Sequence, residues 1–600
     1  MSYRVSAKAL LLLALGVLPP ARSEEEGPPS AEATPPAKAL TDRDMPALAR
    51  VVSALWREKP LPEKLPPRLE EPARAVYLST RAKTRRRETL WRTAGTVLDA
   101  LRSALDEARR SAGDAAAEVD TIEIVLAHSF VKRDPVAEHR KLAANIHRGV
   151  QGLELRFGDR VERYSPTYAI SSNRGNARLL ERFQEKHGLT DRRMREEVEH
   201  RTFEAEQLLV RLTDPPGAVL MERGNRLVRV EDVDLAKVRG FARLAIAWLA
   251  ANVHPDGRMT YLYWPSAVGE AAGRNNMIRQ WMATNALIQA AAHDKDRGEE
   301  LESLAARNID YNLSRYYRDE ADLGVIEYAG KVKLGSVALA ALALHDHPQR
   351  ERWLREARAL DRMVDHLWNP DGSFRTFYRP AGRDDNQNFY PGEALLLWAS
   401  RYQREKDERL YYRFDTSFRY YREWHLDPRN RNPAFVPWHT QACYLFWKET
   451  RDAELEEFIF TMNDWLIENL QEREGDGIYR DTIGRFYHPS DRYGPPHASS
   501  TGVYLEGLAD AFVLARTVGD AARRERYRRA IVLGLRSALQ LQFADDVDMF
   551  YVAEEERPYV HGGVRTTVYD NQIRCDNVQH NLRAVLKILA AFRAEDFTLR

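Results

Sequence analysis

The 600-residue chain is too long for one ordinary hydrophobic core, so it implies two domains or a large helical toroid with a smaller partner. With 90 Lys plus Arg against 89 Asp plus Glu, the formal charge of +1 supplies no bulk field for nucleic acid or an anionic membrane, and a ligand must be recognised at a local site. Two cysteines, Cys443 and Cys575, exclude a disulfide framework and a Cys-rich metal site, and read as buried thiols in apolar helices.

The chain opens with Arg4 and Lys8, the apolar run Ala9 to Leu18, then Pro19-Pro20-Ala21-Arg22-Ser23. A basic, apolar and small-residue order of this kind predicts an export signal over 1–23, cleaved after Ser23, and a periplasmic or secreted product. The run falls short of the ~20 apolar residues that span a bilayer, so stable membrane insertion is not expected. Residues 24–40, rich in Pro, Glu and small side chains, read as a disordered tether.

A first folded domain is expected over 41–230. It begins with helical stretches at 45–58 and 88–112. Strand-like alternation follows at 120–130 and 149–166, around a turn at Gly158-Asp159. Helices at 177–188 and 191–197, a strand at 203–212 and a hairpin turning at Gly224-Asn225 complete an α+β module. Gly152 to Arg160, Lys186 to Leu189 and Val198 to Leu209 resemble, in order and motif, the second half of the AMMECR-like domain over 75–215. The RGCIG signature, which marks that family's suspected ligand site, is absent, so the resemblance implies fold and no function.

From 232 onward the pattern becomes long amphipathic helices, paired as 232–253 with 274–293, 299–318 with 331–346, 349–368 with 390–405, 407–424 with 438–449, 452–470 with 500–516, and 521–542 with 575–593. Units that cannot cover their own apolar faces mark a repeat architecture. Links between pairs are short and charged, whereas links within pairs are mostly long and aromatic, as at 254–266, 369–390, 475–500 and 548–576. The long links all fall at one end of their hairpins and so share a rim, where binding groups on a rigid scaffold are expected. The second helix of each pair is the more apolar, as in KLGSVALAALAL and GVYLEGLADAFVLA, and is expected to form an inner ring with its N-terminus at the rim.

This alternation resembles the six-hairpin, or (α/α)6, toroid of N-acylglucosamine 2-epimerases and many glycosidases and polysaccharide lyases over 232–593. The closing segment, Gly562-Gly563-Val564-Arg565 through Arg574-Cys575-Asp576-Asn577-Val578-Gln579-His580-Asn581, resembles the GGF…IRIDYVQH ending of bacterial six-hairpin proteins. The fold expected is therefore an α+β domain followed by an all-α (α/α)6 toroid, over 231–600.

Sugar sites combine flat aromatic surfaces, paired hydrogen-bonding groups, and carboxylates or a His for proton transfer. The rim supplies Tyr261, Tyr263, Trp264, Tyr328, Phe389, Tyr390, Trp438, Tyr493 and Tyr569. Arg274, Asn275 and Arg279 at the start of the first inner helix suit a carboxylate-bearing sugar, or else pair with Glu270 and other rim acids. Arg565 is a further binding candidate.

Glu327, Glu393 and Asp576 are expected just before or within the first turn of inner helices, as proton-transfer groups or as helix caps. His439, His497 and His580 map to inner-helix starts. Asp576 and His580, four apart, share a helix face on which the acid can orient the imidazole. The catalytic candidates are thus Glu327, Glu393, Asp576 and His580.

No Gly-rich phosphate loop, HExxH or GxSxG element occurs, and neither a cofactor nor a metal is required. The leading expectation is an exported carbohydrate-active enzyme: a glycoside hydrolase, lyase or epimerase. The alternative is a non-catalytic glycan- or peptide-binding protein of the cell envelope.

Overall fold

The computed structural model describes residues 35–93, 95–133, 146–271, 273–476, 479–490 and 492–599. The export-signal expectation for 1–23 and most of the tether lie outside the described residues. Leu40, at the end of the stretch read as tether, is buried, and its backbone N–H donates to the Glu206 carboxylate at 2.6 Å.

The first domain is an antiparallel sheet with helices. Strands β1 (Ala75–Ala82), β2 (Arg85–Arg92), β3 (Thr121–Lys132), β4 (Gly152–Phe157), β5 (Arg160–Tyr164) and β6 (Val198–Arg211) lie in the order β2-β1-β3-β6-β4-β5. The 14-residue β6 also carries β7 (Gly217–Glu222), which pairs with β8 (Asn225–Arg226). Helices α1 (Met45–Trp56) and α2 (Val97–Ala112) cover one face. Between the strands run α3 (Pro166–Ser171), α4 (Asn176–His187) and α5 (Asp191–Glu196).

The stretch read as helix from 88 begins in fact as strand β2. Its Arg-rich half-exposed residues pair with β1, and the helix starts only after the Thr96 hydroxyl caps the Asp99 N–H. Alternation along β6 decides what each face meets. Leu208 and Val210 pack with α1 and α2, whereas Leu209 and Met221 pack with Val547 and Phe550 of the helical domain.

Twelve helices then follow: α6 (Leu235–Ala251), α7 (Met277–His293), α8 (Gly298–Tyr316), α9 (Leu334–Asp346), α10 (Leu354–Leu367), α11 (Tyr390–Glu405), α12 (Glu408–Leu426), α13 (Phe435–Thr450), α14 (Ala453–Leu470), α15 (Ala498–Val518), α16 (Ala521–Leu541) and α17 (Cys575–Ala591). The second helix of each pair touches the second helix of the next, and α17 closes the ring against α7. The fold is an (α/α)6 toroid, with α7, α9, α11, α13, α15 and α17 inside. No described helix is long and apolar enough to cross a membrane.

One glycine contact recurs where the chain leaves an outer helix. Gly257, Gly372, Gly484 and Gly562 all have positive φ, and a Cβ on them would lie 2.3, 2.5, 1.9 and 2.1 Å from the carbonyl oxygens of Arg307, Thr416, Leu533 and Leu244. Each of these oxygens belongs to the following outer helix, and for Gly562 that helix is α6, so the contact also closes the outer ring. Only glycine permits both the left-handed backbone and this approach.

Neighbouring rim loops are stitched into small sheets. Strand β9 (Leu262–Trp264) of the first loop pairs with β10 (Gly269–Glu270) and with β16 (Asp570–Arg574) of the last, which pairs in turn with β15 (Arg565–Thr567). Strands β11 (Tyr317–Glu320), β12 (Leu323–Tyr328) and β13 (Lys331–Lys333) of the second loop join β14 (Phe377–Arg379) of the third.

The first domain docks onto this same rim. Arg223, fully buried, donates to both Asp481 oxygens, at 2.6 and 3.2 Å, and its guanidinium lies 4.8 Å from the Tyr479 ring centroid. Asn173 donates to Asp570 at 3.0 Å and accepts from the Asn571 backbone N–H at 3.1 Å. The fifth and sixth loops are thereby clamped by residues more than 250 positions earlier.

Candidate functional site

All six inner helices deliver a polar or aromatic side chain near their N-terminal ends: Arg279 on α7, Lys333 at the N-cap of α9, Tyr390 and Glu393 on α11, Trp438 on α13, His497 at the N-cap of α15, and Asp576 and His580 on α17. Arg279 Nε forms an ion pair with Asp576 Oδ2 at 2.9 Å, and Arg574 Nη2 donates to the same oxygen at 2.7 Å, with a further bond from its Nε to Oδ1. Arg279 also bonds the Tyr261 hydroxyl. Burial alone raises the Asp576 carboxyl, but the two guanidinium groups outweigh it and hold the group well below the usual carboxylate range. Asp576 is therefore ionised at neutral pH and held between two arginines. It positions cations and is a poor proton donor.

Glu393 is its opposite. It lies in the first turn of α11, 2 % exposed, with Oε2 making no hydrogen bond among the described residues. Burial pushes its carboxyl up to about 8, with only the Lys333 ammonium acting against the rise. A Cβ at Gly335 would lie 1.8 Å from Oε2, so the glycine in the first turn of α9 is what admits the carboxyl. Near neutral pH this group carries its proton, as a general acid requires.

On α17, one turn inward from Asp576, His580 Nδ1 lies 2.7 Å from Oε1 of Glu506 on α15. Burial raises the Glu506 carboxyl, yet Arg583, 2.9 Å from Oε2, and the His580 bond bring the net value below normal. The partner of His580 is thus a carboxylate and Nδ1 is the donor; in the neutral imidazole Nε2 is then the acceptor. The Trp438 ring stands edge-on to the imidazole with centroids 5.8 Å apart. His497 accepts at Nδ1 from the Ser499 backbone N–H at 3.2 Å, capping α15. Burial first, then the nearby Arg574 charge, pushes it down to about 3, so it stays neutral.

Several expected residues fall elsewhere. Glu327 is not at a helix start: it lies in β12, seven residues before α9, and accepts from Arg379 at 2.9 Å. The turn at Ala329-Gly330 and strand β13 intervene and carry it onto the rim sheet. The expected Asp576–His580 pairing is replaced by Glu506–His580, because Asp576 is engaged by arginines. His439 stacks on Phe435 at 3.5 Å and is fully buried as core. Arg565 is buried over the Phe543 ring and donates to the Gln540 carbonyl at 3.0 Å, supporting the last loop.

Tyr263 stacks on Tyr559 and bonds Glu556 through its hydroxyl; Trp264 is half-buried in the same strand. Tyr569 is buried at the turn between β15 and β16, and Tyr493 packs edge-on against Trp465. Arg274 and Asn275 stand on the flank of the opening, where they line a cavity with Tyr316 and Tyr328.

Glu506, Lys333 and Arg574 were missed as candidates. Glu506 had a signal in the sequence: it is one of two acids in the otherwise apolar helix GVYLEGLADAFVLA, and a charge there must meet a partner.

No family model matches the chain, and no curated protein matches it. Among solved structures, D-mannose isomerase is similar at 12% identity and TM-score 0.45, over 60% of this chain and 98% of its own. Unsaturated glucuronyl hydrolase from Bacillus sp. GL1 is similar at 13% identity and TM-score 0.42, over 58% and 96%. The GH76A alpha-1,6-mannanase from Salegentibacter sp. HEL1_6 is similar at 10% identity and TM-score 0.40, over 59% and 98%.

Proposed function

We propose that this protein is an exported carbohydrate-active enzyme that abstracts and returns protons on an acidic sugar held in the mouth of the toroid, as a lyase or an epimerase. The observation that carries the proposal is the 2.7 Å contact between His580 and Glu506, which makes Nδ1 the donor and, in the neutral imidazole, Nε2 the acceptor. In this reading His580 Nε2 takes the proton from the carbon beside the sugar's carboxyl or carbonyl group. The electron pair moves into an enolate, whose oxygen is stabilised by Arg279, Arg574 and Lys333. Both arginines keep exposed surface while paired with Asp576, at 32 % and 20 % of the side chain.

Glu393 then supplies its proton, either to the departing glycosidic oxygen, giving a double bond and a free hydroxyl, or to the opposite face of the carbon, inverting it. A hydrolase needs an ionised carboxylate free to act as base or nucleophile, and Asp576 is tied to two arginines.

The export part rests on the basic, apolar and small-residue order of 1–23. Fractionation that finds the mature chain starting at Glu24 outside the cytoplasm supports it, and retention of an unprocessed cytoplasmic chain contradicts it. For the reaction, the protein is incubated with uronic-acid oligosaccharides and neutral glycans. Turnover of an acidic member, lost in His580→Ala and in Glu393→Gln, supports the proposal. Full activity in both variants contradicts it, and binding without turnover by the wild type favours the non-catalytic glycan-binding alternative.

A further inference from the structure

Successive residues of α7 serve two different places. Arg279 reaches the axial opening, while Gln280, about 100° further round the helix, lines a separate cavity of about 310 Å³ between the first and second hairpins. Tyr311, Tyr316 and Tyr328 wall this cavity, and Asn275 and Arg274 lie at its edge. Gln280 is 97 % buried; its Nε2 donates to the Met259 carbonyl at 3.2 Å, but its Oε1 has no hydrogen-bond partner among the described residues. The tyrosine rings offer this cavity flat faces that suit the apolar faces of sugar rings.

The cavity leads toward the mouth. Asn275 and Tyr328 also line a second cavity of about 160 Å³, whose other walls include Lys331 and Lys333. Lys333 in turn lies close enough to Arg279 and Glu393 to feel both charges. The path is cationic. Arg274 and Lys331 make no ion pair among the described residues, whereas the cavity's one carboxylate, Glu270, is taken by Arg258 at 2.6 Å and His254 at 2.8 Å.

We infer that this cleft binds the continuation of an anionic oligosaccharide whose reacting unit lies in the axial opening, with the tyrosines against sugar faces and the lysines and Arg274 on carboxylates. The inference rests on the proton-transfer reading for the identity of the axial site, and it makes the substrate a polymer fragment and not a free monosaccharide.

The test uses the full chain carrying His580→Ala, so that nothing is turned over, and measures binding of galacturonate and mannuronate monomers and tetramers by calorimetry at low and at moderate salt. The expected result is a tetramer bound at least about tenfold more tightly than its monomer in one of the two series. Tyr328→Ala and Arg274→Ala should each remove most of that difference and leave the monomer unchanged, and salt should weaken the tetramer more. Equal affinity for monomer and tetramer in both series, or cleft variants that weaken both equally, overturns the inference. The two readings fail separately. His580-dependent turnover that ignores chain length removes the cleft and keeps the reaction, while Tyr328-dependent tetramer binding by a wild type that transforms no sugar removes the reaction and keeps the cleft.

Discussion

The Nδ1 of His580 donates to the Oε1 of Glu506 across 2.7 Å, joining the second turn of α17 to the third turn of α15 deep inside the toroid. Replacing Glu506 with Gln keeps the volume but frees the imidazole to adopt either tautomer, and it leaves Arg583, itself buried, without its counter-charge. We expect kcat to fall at least about 10²-fold with KM nearly unchanged, and stability to drop by about 3 kcal/mol. Steady-state kinetics and urea unfolding of Glu506→Gln measure both.

Glu393 makes stability depend on pH in an unusual direction. Its folded value, about 8, lies above that of the unfolded chain, so the folded state holds a proton that the unfolded state has already lost. Stability from this group is full below the unfolded value of about 4.3 and declines as pH rises through about 8, by several kcal/mol. Urea midpoints measured from pH 5 to 9 should fall in the wild type. In Glu393→Gln, which mimics the protonated acid, the decline should largely vanish.

Asp576 behaves in the reverse sense. Its folded value is depressed, so its contribution is present above the unfolded value of about 3.9 and is lost as pH falls through the lower folded one. Asp576→Asn should therefore cost about 3 kcal/mol at pH 7, where Arg279 and Arg574 lose their counter-ion, and the gap to wild type should narrow below about pH 4. Equal stability at pH 7 would mean that the arginines do not depend on it.

Gly562 and Gly519 share a positive φ but not their surroundings. A Cβ at Gly562 would lie 2.1 Å from the Leu244 carbonyl oxygen, whereas nothing lies within 4 Å of one at Gly519. Gly519→Ala should cost about 1 kcal/mol through backbone strain alone. Gly562→Ala should cost about 3 kcal/mol or more, because the contact that closes the ring between the last hairpin and α6 must open. Thermal melts of the two variants compare them directly.

The toroid was legible because its helices are long and amphipathic and the loops alternate in length: α11 spans Tyr390–Glu405 where 390–405 was expected, and α16 spans Ala521–Leu541 where 521–542 was expected. The rim sheets were not. Three-residue strands such as β9 and β13 have no local signature, and they pair outside their own loops, β9 with β16 of the last loop and β13 with β14 of the third. Glu327 was misplaced because the short strand β13 intervenes between it and the start of α9. His439 shows the limit of counting residues from a helix start, since its azimuth on α13 turns it to Phe435 and not to the axis. Glu506 lay outside the first turn and was passed over, although a buried acid on an apolar inner helix demands a partner.

The central claim, that His580 moves a carbon-bound proton of a sugar, is tested most directly by incubating the protein with uronic-acid oligosaccharides in deuterated water and following the sugar C–H signals by NMR. The account predicts solvent deuterium at the carbon beside the carboxyl group, or loss of that signal as a double bond forms, in the wild type and not in His580→Ala. Release of reducing ends with every sugar C–H signal intact would contradict it.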